Sequence, residues 1–126
     1  MTNNSSGFTL IEFLVATVIL MFGLLGMLQG INLAMEKNTE TVLRNEAISL
    51  ADNIMMDQRG LAFAAIATKS GDYYPRKVRG IQKSYSASVT VTTPTVNTKN
   101  IDVTVTWKFK NSSKSHQVSS PVSQIQ

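Results

Sequence analysis

The chain has no cysteine, one histidine, one tryptophan and three prolines among its 126 residues. The missing cysteine excludes disulfides and thiolate metal sites and leaves the compartment open. The histidine, His116, lies in a serine-rich C-terminal stretch with no neighbouring acid to orient its ring, so nucleophilic and metal chemistry both lack their usual components. There is no glycine-rich phosphate loop, because Gly7, Gly23, Gly26 and Gly30 fall in the N-terminal third and the other glycines are scattered. Neither an enzyme nor a bound cofactor is expected. The triplet Asn111-Ser112-Ser113 resembles a glycosylation sequon, a pattern too common to carry weight.

Charge is absent over a longer stretch. From Phe13 to Met35 there is no Asp, Glu, Lys, Arg or His, and Phe13 to Leu28 is apolar apart from Thr17, Gly23 and Gly26. As a helix rising about 1.5 Å per residue, Phe8 to Leu28 covers roughly 31 Å, the thickness of a hydrocarbon core. A secretory signal peptide would have a shorter apolar region, a basic stretch before it and a small-residue cleavage site after it. Met1 to Gly7 is polar without Lys or Arg, and nothing like Ala-x-Ala follows Leu28.

One acid, Glu12, stands at the edge of this stretch. In one reading the carboxylate snorkels to the interface. In the other it pairs with a cation. Cleavage after Gly7 would give Phe8 a new α-amine four residues before Glu12, and helices packed side by side would bring one chain's amine near another chain's carboxylate.

Gly7-Phe8-Thr9-Leu10-Ile11-Glu12 resembles the class III signal of type IV prepilins and of type II secretion pseudopilins. The resemblance extends over the leader and the apolar helix, roughly residues 1 to 60. It implies a membrane-embedded prepilin peptidase that cleaves between Gly7 and Phe8 and methylates the Phe8 amine. It also implies that Glu12 guides docking onto a growing filament, where other pilins are the partners. The leader departs from the usual pattern in lacking Lys and Arg, and Lys37 and Arg44 beyond the span would by the positive-inside rule favour the opposite orientation. The motif, taken over those two charges, implies a single pass of the bacterial inner membrane with the head outside the cytoplasm, and later a place in the pilus.

The net charge of +4 conceals an asymmetry. Up to Asp57, six acids (Glu12, Glu36, Glu40, Glu46, Asp52, Asp57) face only Lys37 and Arg44. Beyond it, Asp72 and Asp102 are the only acids among ten bases. Arg76, Lys77, Arg79 and Lys83, with Tyr73, Tyr74 and Tyr85 nearby as stacking surfaces, allow a nucleic-acid contact. The plainer reading is a solvated loop whose charges complement acidic neighbours in an assembly. It is preferred because four bases without a surrounding nucleic-acid motif are few.

Periodicity completes the expected architecture. Leu43, Ala47, Leu50, Ala51 and Ile54 form one stripe of a 3.6-residue helix that nothing interrupts before Gly60, a C-terminal stop after Arg59. Glu40 and Arg44 stand four apart in the favourable order for an ion pair. Leu61 to Ala67 is alanine-rich and fits a short helix, Gly71-Asp72 and Tyr74-Pro75 read as turns, and residues 61–82 read as a connector over Met55 and Met56. From Tyr85 the period becomes two: Tyr85, Ala87, Val89 and Val91, then Ile101, Val103, Val105, Trp107 and Phe109, alternate with polar residues. Thr93 to Asn100 reads as a hairpin-like loop. Asn111 to Lys114 reads as a turn into a short strand near His116 to Ser119 that Pro121 ends. The expected fold is α+β and pilin-like: one N-terminal helix over about residues 9–59 on an antiparallel sheet of three to four strands. The chain then divides into a leader (1–7), a membrane or filament-core half of the helix (8–28), an amphipathic half (29–60) and a head (61–126). A head this small needs the helix to close its core.

Within the superfamily, Gly23-Leu24-Leu25-Gly26-Met27-Leu28-Gln29 and Val103-Thr104-Val105-Thr106-Trp107 resemble the pilus-modification minor pilins of the PilV kind and their pseudopilin cousins. That resemblance implies a minor pilin that helps initiate or modify pilus assembly. A type II secretion pseudopilin, a major pilin, and a filament-tip module that binds DNA or a surface are the alternatives. The absence of cysteine counts against the major pilins that carry a disulfide-bounded loop.

Gly26 and Gly30 have the small-xxx-small spacing that lets helices approach closely, and Gly23 precedes them. Ordinary tolerance of glycine in membrane helices is the plainer account. In the related filaments this part of the helix can loosen on assembly, which three glycines would ease. Hydrogen exchange in assembled filaments is expected to be fastest around these glycines, and uniform protection along the helix would remove the idea.

Overall fold

The computed structural model describes residues 7–124, and the chain divides into two compact units, Met1–Asn38 and Thr39–Gln126. Helix α1, Leu10–Arg59, runs through both. A short 3-10 turn, Phe63–Ala65, follows, and then four strands: β1 (Lys69–Val78), β2 (Ile81–Thr95), β3 (Thr98–Phe109) and β4 (Ser112–Ser123). They form one antiparallel meander in the order β1-β2-β3-β4. The protein is thus an α+β molecule with one long N-terminal helix packed on a four-stranded sheet, as the two hydrophobic periods require.

In the first unit every described residue from Gly7 to Met35 is exposed. Thr17, the one hydroxyl in the apolar run, donates to the carbonyl of Phe13 at 2.8 Å and so needs no outside partner for its proton. α1 contains the one segment among the described residues that is long and apolar enough to cross a membrane.

In the second unit the helix stripe meets the sheet. Leu43, Ala47, Leu50, Ala51 and Ile54 are all buried with Tyr85, Ala87, Val89, Ile101, Val103, Val105 and Trp107 in one core. Ala47 and Ala51 have no exposed surface, and their small side chains let the sheet come close. Tyr85 is also fully buried, and its hydroxyl donates to the carbonyl of Leu43 at 3.2 Å. Met55 joins this core, but Met56 is 71% exposed and fills no core space, because it lies one residue off the stripe. Two salt bridges tie the sheet's edge strands to the helix: Arg76 of β1 to Glu46 at 3.7 Å and Lys114 of β4 to Glu40 at 3.3 Å. Both are partly exposed and contribute at most about 1 kcal/mol each.

The strands are longer than alternation alone indicates. Residues 69–78, expected within a connector, form β1, and Tyr74-Pro75 is not a turn, since both pair in register with Tyr85 and Ser84. Instead of a loop from Thr93 to Asn100, only Val96 and Asn97 separate β2 from β3. Pro121 does not end the last strand, which continues to Ser123. All three prolines lie in strands at places that need no ladder N–H. Pro75 and Pro121 are on edge strands, and Pro94 lies where the β2–β3 register shifts between Thr92 and Thr95. The other register shift, between Lys69 and Asp72, contains Gly71 at φ 85°, a conformation that suits glycine in a bulge.

The tight turn is Arg79-Gly80, with φ values of 50° and 81° between the paired Val78 and Ile81. Two left-handed residues give a two-residue hairpin the twist that its strands require. The turn between β3 and β4 is Lys110-Asn111, one residue earlier than expected. The helix does end at Arg59, but Gly60 is not left-handed, and a side chain there would make only ordinary contacts near 3.5 Å. Of the short alanine-rich helix expected over Leu61 to Ala67, the 3-10 turn Phe63–Ala65 forms, and beside it Lys99 donates to the carbonyls of Phe63 (2.7 Å) and Ile66 (3.0 Å), with its ammonium 4.8 Å from the Phe63 ring centre. That clamp holds residues 63–66 against the sheet.

Burial, and secondarily the negative charge of Glu46, raises the Tyr85 pKa above 10.0. The folded state therefore holds this proton more tightly than the unfolded chain. The associated stability is complete below about pH 10 and declines as pH rises toward the folded pKa. Tyr85→Phe is expected to cost about 1 kcal/mol at pH 7 and to lose less stability than the parent above pH 10. Urea denaturation of the detergent-solubilised chain at pH 8 and at pH 11 measures both effects.

Candidate functional site

The N-terminal site is built from the start of α1. Gly7, Phe8 and Thr9 precede the first helical turn, and Phe8 is 87% exposed. Thr9 is the N-cap: its carbonyl accepts from the Phe13 N–H at 3.2 Å, the first helical bond. Its hydroxyl accepts from the Glu12 N–H at 3.3 Å, while Glu12 Oε2 accepts from the Thr9 N–H at 3.0 Å. This is a reciprocal capping box, in which two backbone donors at the helix start are satisfied by two side chains. The Glu12 charge also lies at the positive end of the helix dipole.

Sequence reasoning paired Glu12 only with an amine or with the interface and missed Thr9. The signal was present, since Thr9-x-x-Glu12 has the spacing of a capping box ahead of an apolar run. Around the acid, Ile11, Val15 and Ile19 form a shallow apolar strip. Glu12 therefore presents a carboxylate with one oxygen engaged by the Thr9 N–H beside an exposed apolar surface.

Gly7 has no atom within 4 Å of where a Cβ would stand, and it is not in a left-handed conformation. The same space surrounds Gly23, Gly26 and Gly30, so nothing among the described residues demands glycine at any of these four positions. Residues 1–6 of the expected leader lie outside the described residues.

The basic residues of the head do not form one surface. Arg76 and Lys83 are cross-strand partners on the sheet face that packs on the helix, and Arg76 is engaged by Glu46. Lys77 lies on the opposite face, and Arg79 is in the hairpin turn. Nor do the tyrosines form a stacking platform: Tyr85 is buried, Tyr74 is half-buried beside it, and Tyr73 alone is widely exposed. His116 is half-buried in β4 opposite Val105.

Residues 2–28 match the family of the prokaryotic N-terminal methylation motif. This is the class III signal, and together with the α+β arrangement it supports the type IV pilin superfamily, pilins and pseudopilins alike. The match covers the signal and the apolar segment alone. No curated protein and no solved structure matches the chain.

Thr9→Val, which keeps the shape and removes the acceptor, is expected to cost about 1 kcal/mol at the helix start. Hydrogen exchange of the Glu12 amide in micelles should accelerate accordingly, with exchange in the sheet unchanged. An unaltered Glu12 amide would show that the hydroxyl carries no capping energy.

Proposed function

We propose that the chain is a minor pilin, a membrane-anchored subunit that is processed at Gly7-Phe8 and enters a filament, where it helps initiate or modify pilus assembly. The observation that carries this reading is the methylation motif at residues 2–28 running into a helix whose second half closes the core of a four-stranded head. Membrane anchoring follows from the motif and the apolar segment. The motif points to a structural subunit.

No described residue constrains Gly7 sterically, so the cleavage assignment rests on the motif, which a prepilin peptidase would read. Phe8 is then the residue whose new amine is methylated, and Glu12 the residue that docks the subunit against neighbouring pilins. Gly23, Gly26 and Gly30, free of any steric demand inside the chain, are available for close helix packing or loosening in the filament. The minor role, as against that of a major pilin or a secretion pseudopilin, rests on the likeness of residues 23–29 and 103–107 to pilus-modification pilins and on the absence of cysteine.

Mass spectrometry of sheared filaments should find a peptide that begins at N-methylated Phe8, at low stoichiometry relative to the main subunit. High stoichiometry would make the chain a major pilin, and loss of protein export with intact pili on deletion would make it a pseudopilin. Gly7→Val should leave an unprocessed membrane-bound precursor, and a normally shortened product would contradict the cleavage assignment. Glu12→Ala should enter the membrane normally yet incorporate poorly, whereas unchanged incorporation would reduce the carboxylate to a tolerated interface residue.

A further inference from the structure

The sheet face turned away from the helix has a composition that a filament subunit does not require. Its central positions are Ser84, Ser86 and Ser88 on β2, Thr104 and Thr106 on β3, and Ser115 on β4. Tyr73, Ser86, Thr106 and Ser115 stand in one cross-strand row. Strand propensity accounts for the threonines and not for the serines, which strands do not favour. Solvation alone would be served equally well by charge.

At one end of this face lies an open depression of about 430 Å³ lined by Tyr73, Ser84, Ser86, Thr106, Lys108 and Ser113. Lys83 also borders it, and none of its lining residues is a carboxylate. The Tyr73 ring is 76% exposed, unlike the other two tyrosines of the head. The volume is within the range of small-ligand sites.

Each kind of group present selects a ligand property. A hydroxyl both donates and accepts, so a row of hydroxyls suits a ligand that itself carries many hydroxyls. The negative face of an aromatic ring suits the weakly positive C–H face of a sugar ring. The Lys108 ammonium, with no carboxylate in the lining, suits negative charge. A nucleic-acid strand would instead need cations tracking its backbone and several exposed rings. Here one ring is exposed, and the bases at positions 76–83 are divided between the two faces and a turn.

We propose that the depression between Tyr73 and Lys108 is a binding site for an acidic polysaccharide, with the sugar ring on Tyr73, its hydroxyls on the serine and threonine row, and its carboxylate or other anionic group at Lys108. The site is separate from the processing segment and does not depend on the filament role.

The test uses the full-length chain in a non-ionic detergent, immobilised for interferometry, with polygalacturonate as the acidic probe, dextran as the neutral one and an oligothymidylate as the nucleic-acid control. Saturable, salt-sensitive binding of polygalacturonate is expected, with dextran weaker by about tenfold or more. Tyr73→Ala should weaken polygalacturonate binding about tenfold and Lys108→Gln at least about threefold. Both side chains are exposed, so the melting temperature and circular dichroism of the variants should match the parent. No saturable polygalacturonate binding, equal binding of dextran, or parent-like affinity in both variants would overturn the proposal. Tighter binding of oligothymidylate than of polygalacturonate would overturn it in favour of a nucleic-acid strand.

Discussion

One apolar surface of the sheet packs on one stripe of the helix, and the order of the head follows from their contact. Val103, Val105 and Ile101 have no exposed area because Leu43, Ala47, Leu50, Ala51 and Ile54 cover them. A four-stranded sheet bare on this side would expose its tryptophan, one tyrosine and a row of valines, a patch that does not persist on a soluble surface. The unit Thr39–Gln126 is small enough that no second core is available. The second half of α1 is therefore part of the head's fold, and it continues directly into the segment that the methylation motif marks for the membrane.

Electrostatics follow the same contact. The acidic helix and basic head first read as an asymmetry awaiting a partner, but part of it is answered inside the unit, where Glu46 meets Arg76 and Glu40 meets Lys114. These pairs reach the helix from opposite edges of the sheet. Their energy is small, so they fix the placement of the sheet on the helix more than they stabilise it. Lys99 serves the connector in a comparable way, offering its ammonium protons to two carbonyls that no strand satisfies.

Legibility varied with the strength of the local signal. The helix was readable almost to the residue because its stripe and its uncharged run are both long, and β2 and β3 because Tyr85 to Val91 and Ile101 to Phe109 alternate cleanly. β1 was hidden, since Gly71 and Pro75 are punctuation in sequence and become acceptable only once a bulge and a free edge exist. Those are properties of the whole sheet, invisible in a local window. At the N-terminal site, Gly7, Phe8 and Glu12 are readable as a motif. The bond between Thr9 and Glu12 is a local one, and its signal is the three-residue spacing of a hydroxyl and an acid ahead of the apolar run. The division of Arg76, Lys77, Arg79 and Lys83 follows from the pairing of β1 with β2, which no local window shows.

The two outer strands each contain a proline, Pro75 in β1 and Pro121 in β4, and the first also has a bulge. An open sheet edge is a template on which a neighbouring copy can add its own strand. Chains tethered by their N-terminal helices in one bilayer would meet at high local concentration with edges similarly aligned. A missing donor in each outer strand and the kink at Gly71 interrupt the ladder that such copies would otherwise extend, and so guard a crowded pool of subunits against edge-to-edge aggregation.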